Sequence, residues 1–103
     1  MRIIVLITAK DKKQARRIAD ELVRFKLAAC VNIVGDVRSI FIWQGKTERQ
    51  AEVILIVKST KARFKAIVKM VKSLHSYEVP EVIAVPIIDG SGDYLRWIDE
   101  SVG

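Results

Sequence analysis

The stretch Ala28–Lys58, AACVNIVGDVRSIFIWQGKTERQAEVILIVK, decides the fold of this chain. Ala28–Val34 and Val37–Trp43 both have the apolar, β-branched character of a strand, and Gly35-Asp36 separates them. A glycine inside a strand pattern is typical of a bulge, so we predict one long strand with a bend there. Gln44-Gly45-Lys46 then predicts a hairpin turn, after which the chain returns as a second strand.

This predicted ribbon is too long for the rest of the domain. Its far end carries four large apolar residues in succession, Ile40 to Trp43. Because neighbouring residues of a strand point to opposite faces, both faces of that end are apolar. An isolated ribbon of this kind would aggregate, so we predict that it packs on a neighbouring subunit and that the chain is an obligate oligomer.

The sequence before the ribbon predicts a strand and then a helix. Arg2–Thr8 is an almost unbroken β-branched run, as in a strand buried on both faces. Asp11 followed by Gln14 resembles a capping box, and the helix ends near Lys26. Pairs of opposite charge at a spacing of four residues support this helix: Arg16 with Asp20, Arg17 with Glu21, and Asp20 with Arg24.

The sequence after the ribbon repeats this order. Ser59-Thr60 can cap a second helix, whose apolar stripe ends at Leu74. Val82–Ile88 predicts another strand, and Pro86 within it indicates an edge position because proline lacks a ladder donor. Asp93–Glu100 predicts a short terminal helix that carries Leu95, Trp97 and Ile98.

The predicted order is β-α-β-β-α-β plus a C-terminal helix, which is the ferredoxin-like pattern of the α+β class. We expect one domain over residues 1–103, with an antiparallel sheet. Right-handed crossovers would place the last strand beside the first, at one edge of the sheet.

Composition excludes several classes of protein. The chain has 103 residues, of which 50% are hydrophobic, and one cysteine, so no internal disulfide can form. No apolar run is long enough to cross a bilayer and no signal peptide is evident, so we predict a cytoplasmic protein without a membrane partner. The net charge of +6 fits solvated helix faces, and the second ribbon strand lacks the aromatic residues of an RNA-recognition motif; we therefore expect no nucleic-acid partner.

The connector between the second helix and the last strand is the strongest functional signal. Leu74–Val82, LHSYEVPEV, holds the only histidine beside a tyrosine, a proline and two glutamates. A plain connector needs only turn residues such as Gly, Asn or Ser. Polar and aromatic chemistry concentrated on a loop indicates function more strongly than a core residue does.

Cys30 and His75 are the candidate metal ligands, since thiolate and imidazole suit copper and zinc. The chain has no CxxC or HxxH spacing, so a closed site needs an oligomer axis, a carboxylate or water. Taken alone, Cys30 is more often a small buried residue. His75 equally fits a helix C-terminal residue that interacts with the helix dipole.

Six further residues are candidates for a ligand-binding cleft. Asn32 interrupts an apolar strand, where an amide must be hydrogen-bonded, and Lys58 ends a strand. Lys58 is either a solvent-facing charge or the partner of an anion or carboxylate in a cleft, with Glu78 or Glu81 as the candidate carboxylate. The remaining four residues are aromatic or acidic: Trp43, Tyr77, Glu78 and Glu81.

Known catalytic patterns are absent. One histidine cannot serve every role of a Ser-His-Asp centre, and Gly90-Ser91-Gly92 lacks the Lys-Ser/Thr of a phosphate-binding loop. We therefore predict no catalytic residue and no enzymatic activity. An enzyme that uses Tyr77 and the carboxylates as acid and base is the weakest of the alternatives; strongly perturbed pKa values in a cleft would favour it.

Three segments together resemble the signatures of the CutA divalent-cation-tolerance family. They are Ala28–Asn32, the segment Ser39–Gly45 with Lys46 after it, and His75–Val82. The opening strand and the closing Tyr94–Ile98 helix fit as well, so the resemblance covers essentially the whole chain. One departure is Ser76, where the family usually has proline, which leaves the loop freer and adds a hydroxyl.

The resemblance implies a ferredoxin-like fold and a tight homotrimer in which long ribbons cross between subunits. It also implies binding of divalent metals, copper most often, and a role in cation tolerance or homeostasis. The implied site lies in clefts between subunits and is lined by Cys30, Asn32, Trp43, Lys58, His75, Tyr77, Glu78 and Glu81. The alternative is a signalling module similar to the trimeric PII proteins, with an anionic ligand bound in intersubunit clefts at Lys58.

Overall fold

The computed structural model describes residues 1–103 as four strands and three helices. A 3-10 turn over Lys61–Arg63 leads into the second helix. In chain order the elements are β1 Arg2–Ala9, α1 Lys12–Arg24, β2 Cys30–Trp43, β3 Lys46–Thr60, α2 Phe64–Leu74, β4 Val82–Pro86 and α3 Gly92–Val102. The α+β order and the terminal helix predicted from the sequence are therefore confirmed.

The strands form one antiparallel sheet in the order β2-β3-β1-β4. The last strand lies beside the first and at an edge, as right-handed crossovers require. The strand is shorter than predicted, because it ends at Pro86, which pairs with Ile3. Proline offers no N–H to a ladder, which fits the edge position, while the Ile87 N–H still bonds to the Arg2 carbonyl at 3.0 Å.

The ribbon of β2 and β3 contains the predicted irregularity and turn. The register shifts between Val34 and Val37, and Asp36 has a φ of 58° at the bulge. At the tip, Gln44 and Gly45 have φ values of 52° and 77°. Two positive φ values in succession are the geometry of a tight hairpin turn that matches the twist of the strands.

The core lies between the sheet and the two helices α1 and α2. Alternate residues of β1 and β3 face it, and the burial pattern of β1 alternates residue by residue. The core cluster holds Ile3, Val5, Ile7, Ala9, Ala15, Ile18, Ala19, Leu22, Ala28, Val53, Leu55, Val57, Ile67 and Val71. The predicted apolar stripes of α1 and α2 therefore form the helical side of the core. Ile67 and Val71 are the residues of α2 that are fully buried there.

Two local predictions for the helices were wrong. None of the three charge pairs predicted on α1 forms; the helix has one ion pair, between Arg24 and Glu21 at 3.6 Å. Exposed pairs gain little from a fixed geometry, so these side chains stay in solvent. Thr60 makes no capping hydrogen bond, and the hydroxyl of Ser59 is buried in β3, where it donates to the carbonyl of Leu27 at 2.6 Å.

The predicted cap of α1 is present in modified form. The Asp11 carboxylate accepts a hydrogen bond from the Gln14 N–H at 2.8 Å, as in a capping box. The Gln14 side chain, however, accepts from the Lys10 N–H at 3.2 Å and not from that of Asp11. The return bond is therefore displaced by one residue.

The helix α3 packs on the sheet face opposite α1 and α2, which we call the outer face. Arg2 points to that face and donates two hydrogen bonds to Asp99, at 3.0 and 2.6 Å. The Arg2 guanidinium lowers the pKa of the Asp99 carboxyl below its ordinary value. Ile98 and Val102 are buried by this packing.

No helix of the chain is both long and apolar enough to cross a membrane.

The far half of the ribbon has no third strand beside it. β1 pairs with β3 only from Val53 onward, so Lys46–Glu52 pairs with β2 alone. Ile40 is 67% exposed and Ile42 is 77% exposed on this protruding half. The oversized ribbon predicted from the sequence is thus confirmed, and its packing on another subunit stays a prediction.

Candidate functional site

The predicted site residues lie in two separate places within the chain. Cys30, Asn32 and Lys58 lie together on the outer face, near the end of the sheet that α3 covers. The other five, Trp43, His75, Tyr77, Glu78 and Glu81, gather around the α2–β4 loop and the far half of the ribbon. The two groups do not meet within one chain, so the cleft between subunits that the resemblance implies stays a prediction.

The first group is a thiol beside an ammonium. Cys30 and Lys58 are direct partners in the β2–β3 ladder, so their side chains share the outer face. Lys58 donates its Nζ hydrogen to the Asn32 side-chain oxygen, and the Cys30 thiol lies 4.0 Å from that same oxygen. Asn32 is thus hydrogen-bonded, as a polar residue in an apolar strand must be.

Tyr94 of α3 completes this group, although no pattern in the sequence selects it. Its pKa is raised above the ordinary value, first by partial burial and then by the charge and hydrogen bond of Cys30. The phenol can reach the thiol only because α3 packs across the outer face. We call Cys30, Asn32, Lys58 and Tyr94 the thiol cluster.

His75 is held by both ring nitrogens. It follows α2 directly, and its Nε2 donates to the Thr8 carbonyl at 2.6 Å. Its Nδ1 accepts the Tyr77 N–H at 3.0 Å. One donor and one acceptor define a neutral imidazole with its proton on Nε2. To bind a metal through Nδ1, the ring would have to release the Tyr77 N–H.

Cys30 and His75 are far apart within one chain. Cys30 pairs with Lys58, which pairs with Ile4, whereas His75 bonds to Thr8. The four residues from Ile4 to Thr8 span roughly 13 Å of strand. Nowhere in the chain do three His, Cys, Asp or Glu side chains come close enough to hold a metal ion. Metal ligation by these two residues therefore stays a prediction that requires donors from a second subunit.

Tyr77 is joined to a buried carboxylate. Its hydroxyl donates to Glu52 Oε2 at 2.8 Å, and Glu52 is only 6% exposed. Partial burial, followed by the hydrogen bond and charge of Glu52, raises the pKa of Tyr77 to about 12. The phenol therefore stays protonated near neutral pH, which argues against Tyr77 as a general base. Glu52 was not predicted as a site residue; its one signal in the sequence is an acidic side chain directly before the apolar run Val53–Val57.

The α2–β4 loop and the ribbon enclose two adjoining cavities of about 420 and 460 Å³. Trp43 and Tyr77 line both of them, Glu78 lines the first and Glu81 the second. Four predicted cleft residues are thus brought together. Lys58 is not among them, so the suggested pairing of Lys58 with a loop glutamate does not occur.

Ser76 is exposed and makes no side-chain hydrogen bond. The residues on either side of it are the ones that fix the loop, through the bonds of His75 and Tyr77 to Thr8 and Glu52. The loop is therefore tied to β1 and β3 without a proline at position 76.

Comparison with known proteins agrees with this architecture. The sequence pattern of the family described as CutA1 divalent ion tolerance protein matches residues 3–101. The divalent-cation tolerance protein CutA of Thermus thermophilus is 46% identical over 100 residues, which are 97% of each chain. A chloroplastic CutA 1 protein of Oryza sativa is 42% identical, and the match covers 96% of this chain and 56% of that protein.

Solved structures show the same fold. A T. thermophilus divalent cation tolerance protein superimposes with a TM-score of 0.98 at 46% identity, over the full length of both chains. A structure from Archaeoglobus fulgidus, described as a periplasmic divalent cation tolerance protein CutA, superimposes with a TM-score of 0.97 at 43% identity, also over both full lengths. The family's sequence pattern matches residues 3–101, which include the ribbon and the α2–β4 loop. This chain therefore belongs to the CutA1 divalent ion tolerance family.

Proposed function

We propose that this protein protects its cell against excess divalent cations, copper foremost, by binding them as a homotrimer and without catalysis. The observation that carries the proposal is the family match, which extends over residues 3–101 and includes all three segments singled out in the sequence. The similarity to relatives described as divalent-cation tolerance proteins extends over 97% of this chain and is not limited to a single motif.

The trimer part of the proposal rests on the ribbon. Its far half pairs with no third strand and exposes Ile40 and Ile42 to solvent in the single chain. Burying such side chains stabilises an assembly by about 25 cal/mol for each Å² removed from water. In a closed trimer, each ribbon would pack on a neighbouring subunit. This packing would bury the apolar surface of all three ribbons and leave no unpaired interface on any chain.

The copper part rests on the chemistry of the donors. Thiolate and imidazole suit copper, and Cys30 is only partly buried in the single chain. Because Cys30 and His75 lie apart in one chain, we propose that Cys30 of one subunit and His75 of another bind the metal. His75 would exchange its bond from the Tyr77 N–H for the metal.

Calorimetric titration of metal-stripped protein with copper(II) and zinc(II) tests this proposal. We expect tight, saturable copper binding at a fixed ratio per trimer, lost in Cys30→Ser and in His75→Gln. The glutamine amide can still donate to the Thr8 carbonyl, so His75→Gln separates a lost ligand from a lost loop contact. Ser101→Ala is the control, because it removes a hydroxyl that bonds to the Trp97 carbonyl and contacts neither proposed ligand. Weak, non-stoichiometric binding that both ligand variants leave unchanged would contradict the proposal.

The proposal of a non-catalytic role is supported by Tyr77. Its raised pKa of about 12 and its bond to Glu52 leave it a poor proton acceptor near neutral pH. A cytoplasmic location stays a prediction from the sequence, and it can be read directly from cell fractionation. The similar A. fulgidus structure is described as periplasmic, so the compartment needs that test.

One observation favours the alternative of a PII-like module that binds an anion. The ammonium of Lys58 pairs with no carboxylate and contacts only the Asn32 amide oxygen. A free cation beside an amide can bind a phosphate or carboxylate group. Titration with ATP, compared between Lys58→Met and the exposed control Lys61→Met, would detect such binding. No saturable signal, or equal binding by both variants, would exclude this alternative.

A further inference from the structure

The solvent side of α1, of α2 and of the turn before α2 is strongly basic. Residues 10–26 and 61–72, which we call the basic helical face, contain 12 of the 18 lysines and arginines and three of the 12 acidic residues. These two segments therefore carry a net charge of +9, and the rest of the chain carries −3, since the whole chain carries +6. All of these basic residues except Arg63 are exposed to solvent.

Most of these cations have no partner within the chain. Arg24 makes the one ion pair of the face, with Glu21 at 3.6 Å, and Arg63 donates to the Val102 carbonyl at 2.8 Å. Residues 61–72 include no acidic residue that could neutralise them. The basic helical face therefore keeps its positive charge available to an anion from outside the chain.

The basic residues of α2 do not stabilise their helix. Lys65, Lys69 and Lys72 follow one another at spacings of four and three residues, where like charges repel each other. Lys65 also lies in the first turn, at the positive end of the helix dipole, and that turn contains no acidic residue. A local arrangement that lowers stability without a compensating contact is expected at functional surfaces. The placement of the lysines thus points to a function independently of their number.

The proposed trimer leaves this face exposed. The face lies on the opposite side of the sheet from the thiol cluster, because α1 and α2 pack on the core side and α3 on the outer face. It contains no ribbon residue and neither of the two proposed metal ligands. A partner other than a second copy of this chain therefore has access to it.

The side chains of this face favour nucleic acid over a bilayer. Large apolar side chains are exposed there only at Val23 and Phe25, near the end of α1, and α2 exposes none. A helix that lies in a membrane surface needs an apolar side turned to the lipid, but the apolar stripes of α1 and α2 are buried in the core. A phosphate backbone needs only lysine and arginine side chains.

We propose that the basic helical face binds nucleic acid through the phosphate backbone, without recognition of the base sequence. A sequence pI of about 9.7 and cations clustered on one face are together the electrostatic footprint of such a protein. The sequence alone favoured solvated helix faces, because it does not show how far the charges are segregated or how few are paired. This activity is separate from cation tolerance as proposed above and does not depend on the metal site.

Fluorescence anisotropy of a labelled DNA duplex of about 20 base pairs tests this proposal, at salt concentrations from about 50 to 200 mM. We expect saturable binding whose affinity falls linearly with salt concentration on logarithmic axes, because each contacted phosphate releases counterions. Lys65→Gln and Lys69→Gln should each reduce the magnitude of that slope by about one and weaken the binding of all duplex sequences alike. Arg96→Gln is the matched control: it removes an exposed cation of α3, lowers the net charge equally and should leave the slope unchanged.

Four results would overturn the proposal. The absence of a saturable anisotropy change at the lowest salt concentration would exclude the duplex as a ligand. An equal change of slope in Arg96→Gln would mean attraction by net charge and not binding at this face. Stronger binding to vesicles of phosphatidylcholine and phosphatidylserine at the same salt concentration would assign the face to a membrane. A lower mass of the assembly in Lys65→Gln or Lys69→Gln, measured by light scattering, would place the face in a contact between subunits.

Discussion

At the scale of single residues, a chain of hydrogen bonds ties the α2–β4 loop to two strands. The Thr8 carbonyl accepts from His75, His75 accepts from the Tyr77 N–H, and the Tyr77 hydroxyl donates to Glu52. The rings of His75 and Tyr77 also stack at a tilt, 4.6 Å between centroids. These three hydrogen bonds all lie inside one subunit, so the loop is preorganised before any ligand arrives.

Removing the Tyr77 hydroxyl should lower stability. In Tyr77→Phe the buried Glu52 loses its only donor, so we expect the free energy of unfolding to fall by about 1–3 kcal/mol. Urea unfolding at fixed protein concentration measures this change. Tyr94→Phe removes a hydroxyl from a more exposed tyrosine and should cost less than about 0.5 kcal/mol. Equal losses for the two variants would mean that the hydrogen bond to Glu52 contributes no more to the free energy of unfolding than an exposed hydroxyl does.

The hydrogen bond between Tyr77 and Glu52 also makes the free energy of unfolding depend on pH in the alkaline range. Tyr77 has its pKa raised from 10.0 to about 12 in the folded chain, so the unfolded phenol loses its proton first. Its contribution is fully present below pH 10.0 and is lost as the pH rises through about 12. The stability difference between the parent chain and Tyr77→Phe should therefore shrink over that interval. A difference that stays constant up to pH 12 would contradict this assignment.

For two contacts, Tyr77 with Glu52 and Cys30 with Tyr94, only the first partner was predicted from the sequence. His75 and Tyr77 were recognisable because they stand on a polar loop, Cys30 because its thiol suits a soft metal, and Lys58 because it ends a strand. Glu52 and Tyr94 were missed, since Glu52 is 25 residues from Tyr77 and Tyr94 reaches Cys30 only through the packing of α3. Contacts between distant segments depend on how the elements pack, which local patterns do not contain.

At the scale of elements, the end of α1 shows how backbone geometry overrides residue preference. The Leu27 N–H bonds to the Leu22 carbonyl at 2.9 Å and the Lys26 N–H to the Val23 carbonyl at 3.0 Å. These two bonds form a Schellman motif, and Lys26 occupies its left-handed position with a φ of 57°. Glycine is the residue best suited to that position, yet the chain has lysine there.

Lys26→Gly should therefore stabilise the protein. Glycine adopts a positive φ without the steric cost that a side chain has, so we expect a gain of about 1 kcal/mol in the free energy of unfolding. Thermal unfolding followed by circular dichroism measures it. Lys26→Ala is the control, because it shortens the side chain and keeps the cost, and it should show no gain. A gain in both variants would assign the effect to the lysine charge.

Prediction of the elements succeeded where the pattern is periodic or contains a glycine. The bulge near Gly35 and the turn at Gly45 were both recognised from the glycines, and the apolar stripes of α1 and α2 from their spacing. The predictions that failed concern exposed side chains, namely the charge pairs of α1 and the cap of α2. Solvent competes for those groups, so spacing alone does not determine their partners.

At the scale of the whole molecule, the order of the strands followed from chain connectivity alone. Short connections and right-handed crossovers allow few arrangements of β-α-β-β-α-β, and the observed order β2-β3-β1-β4 is one of them. The separation of the thiol cluster from the cavities beside the α2–β4 loop could not be predicted in this way. It depends on the length of the ribbon, which places Trp43 about a dozen residues of strand from Cys30.

A charge on the exposed ribbon should break the assembly and leave the fold intact. Ile42→Lys places an ammonium group where we expect an apolar contact between subunits, and an unpaired buried charge is strongly unfavourable. Size-exclusion chromatography should show smaller particles, with an unchanged far-ultraviolet circular dichroism spectrum. Val23→Lys, a comparable change on the exposed side of α1, should leave the assembly intact. Retention of the parent size by Ile42→Lys would exclude this residue from the interface.

The central claim is that the ribbon binds neighbouring subunits in a homotrimer, on which the intersubunit metal site depends. Multi-angle light scattering of the unmodified protein at micromolar concentration tests it most directly. The account predicts a mass about three times the 11.7 kDa of one chain, constant on dilution through the micromolar range. A mass of 11.7 kDa would contradict the trimer and, with it, a metal site shared between Cys30 and His75 of different subunits.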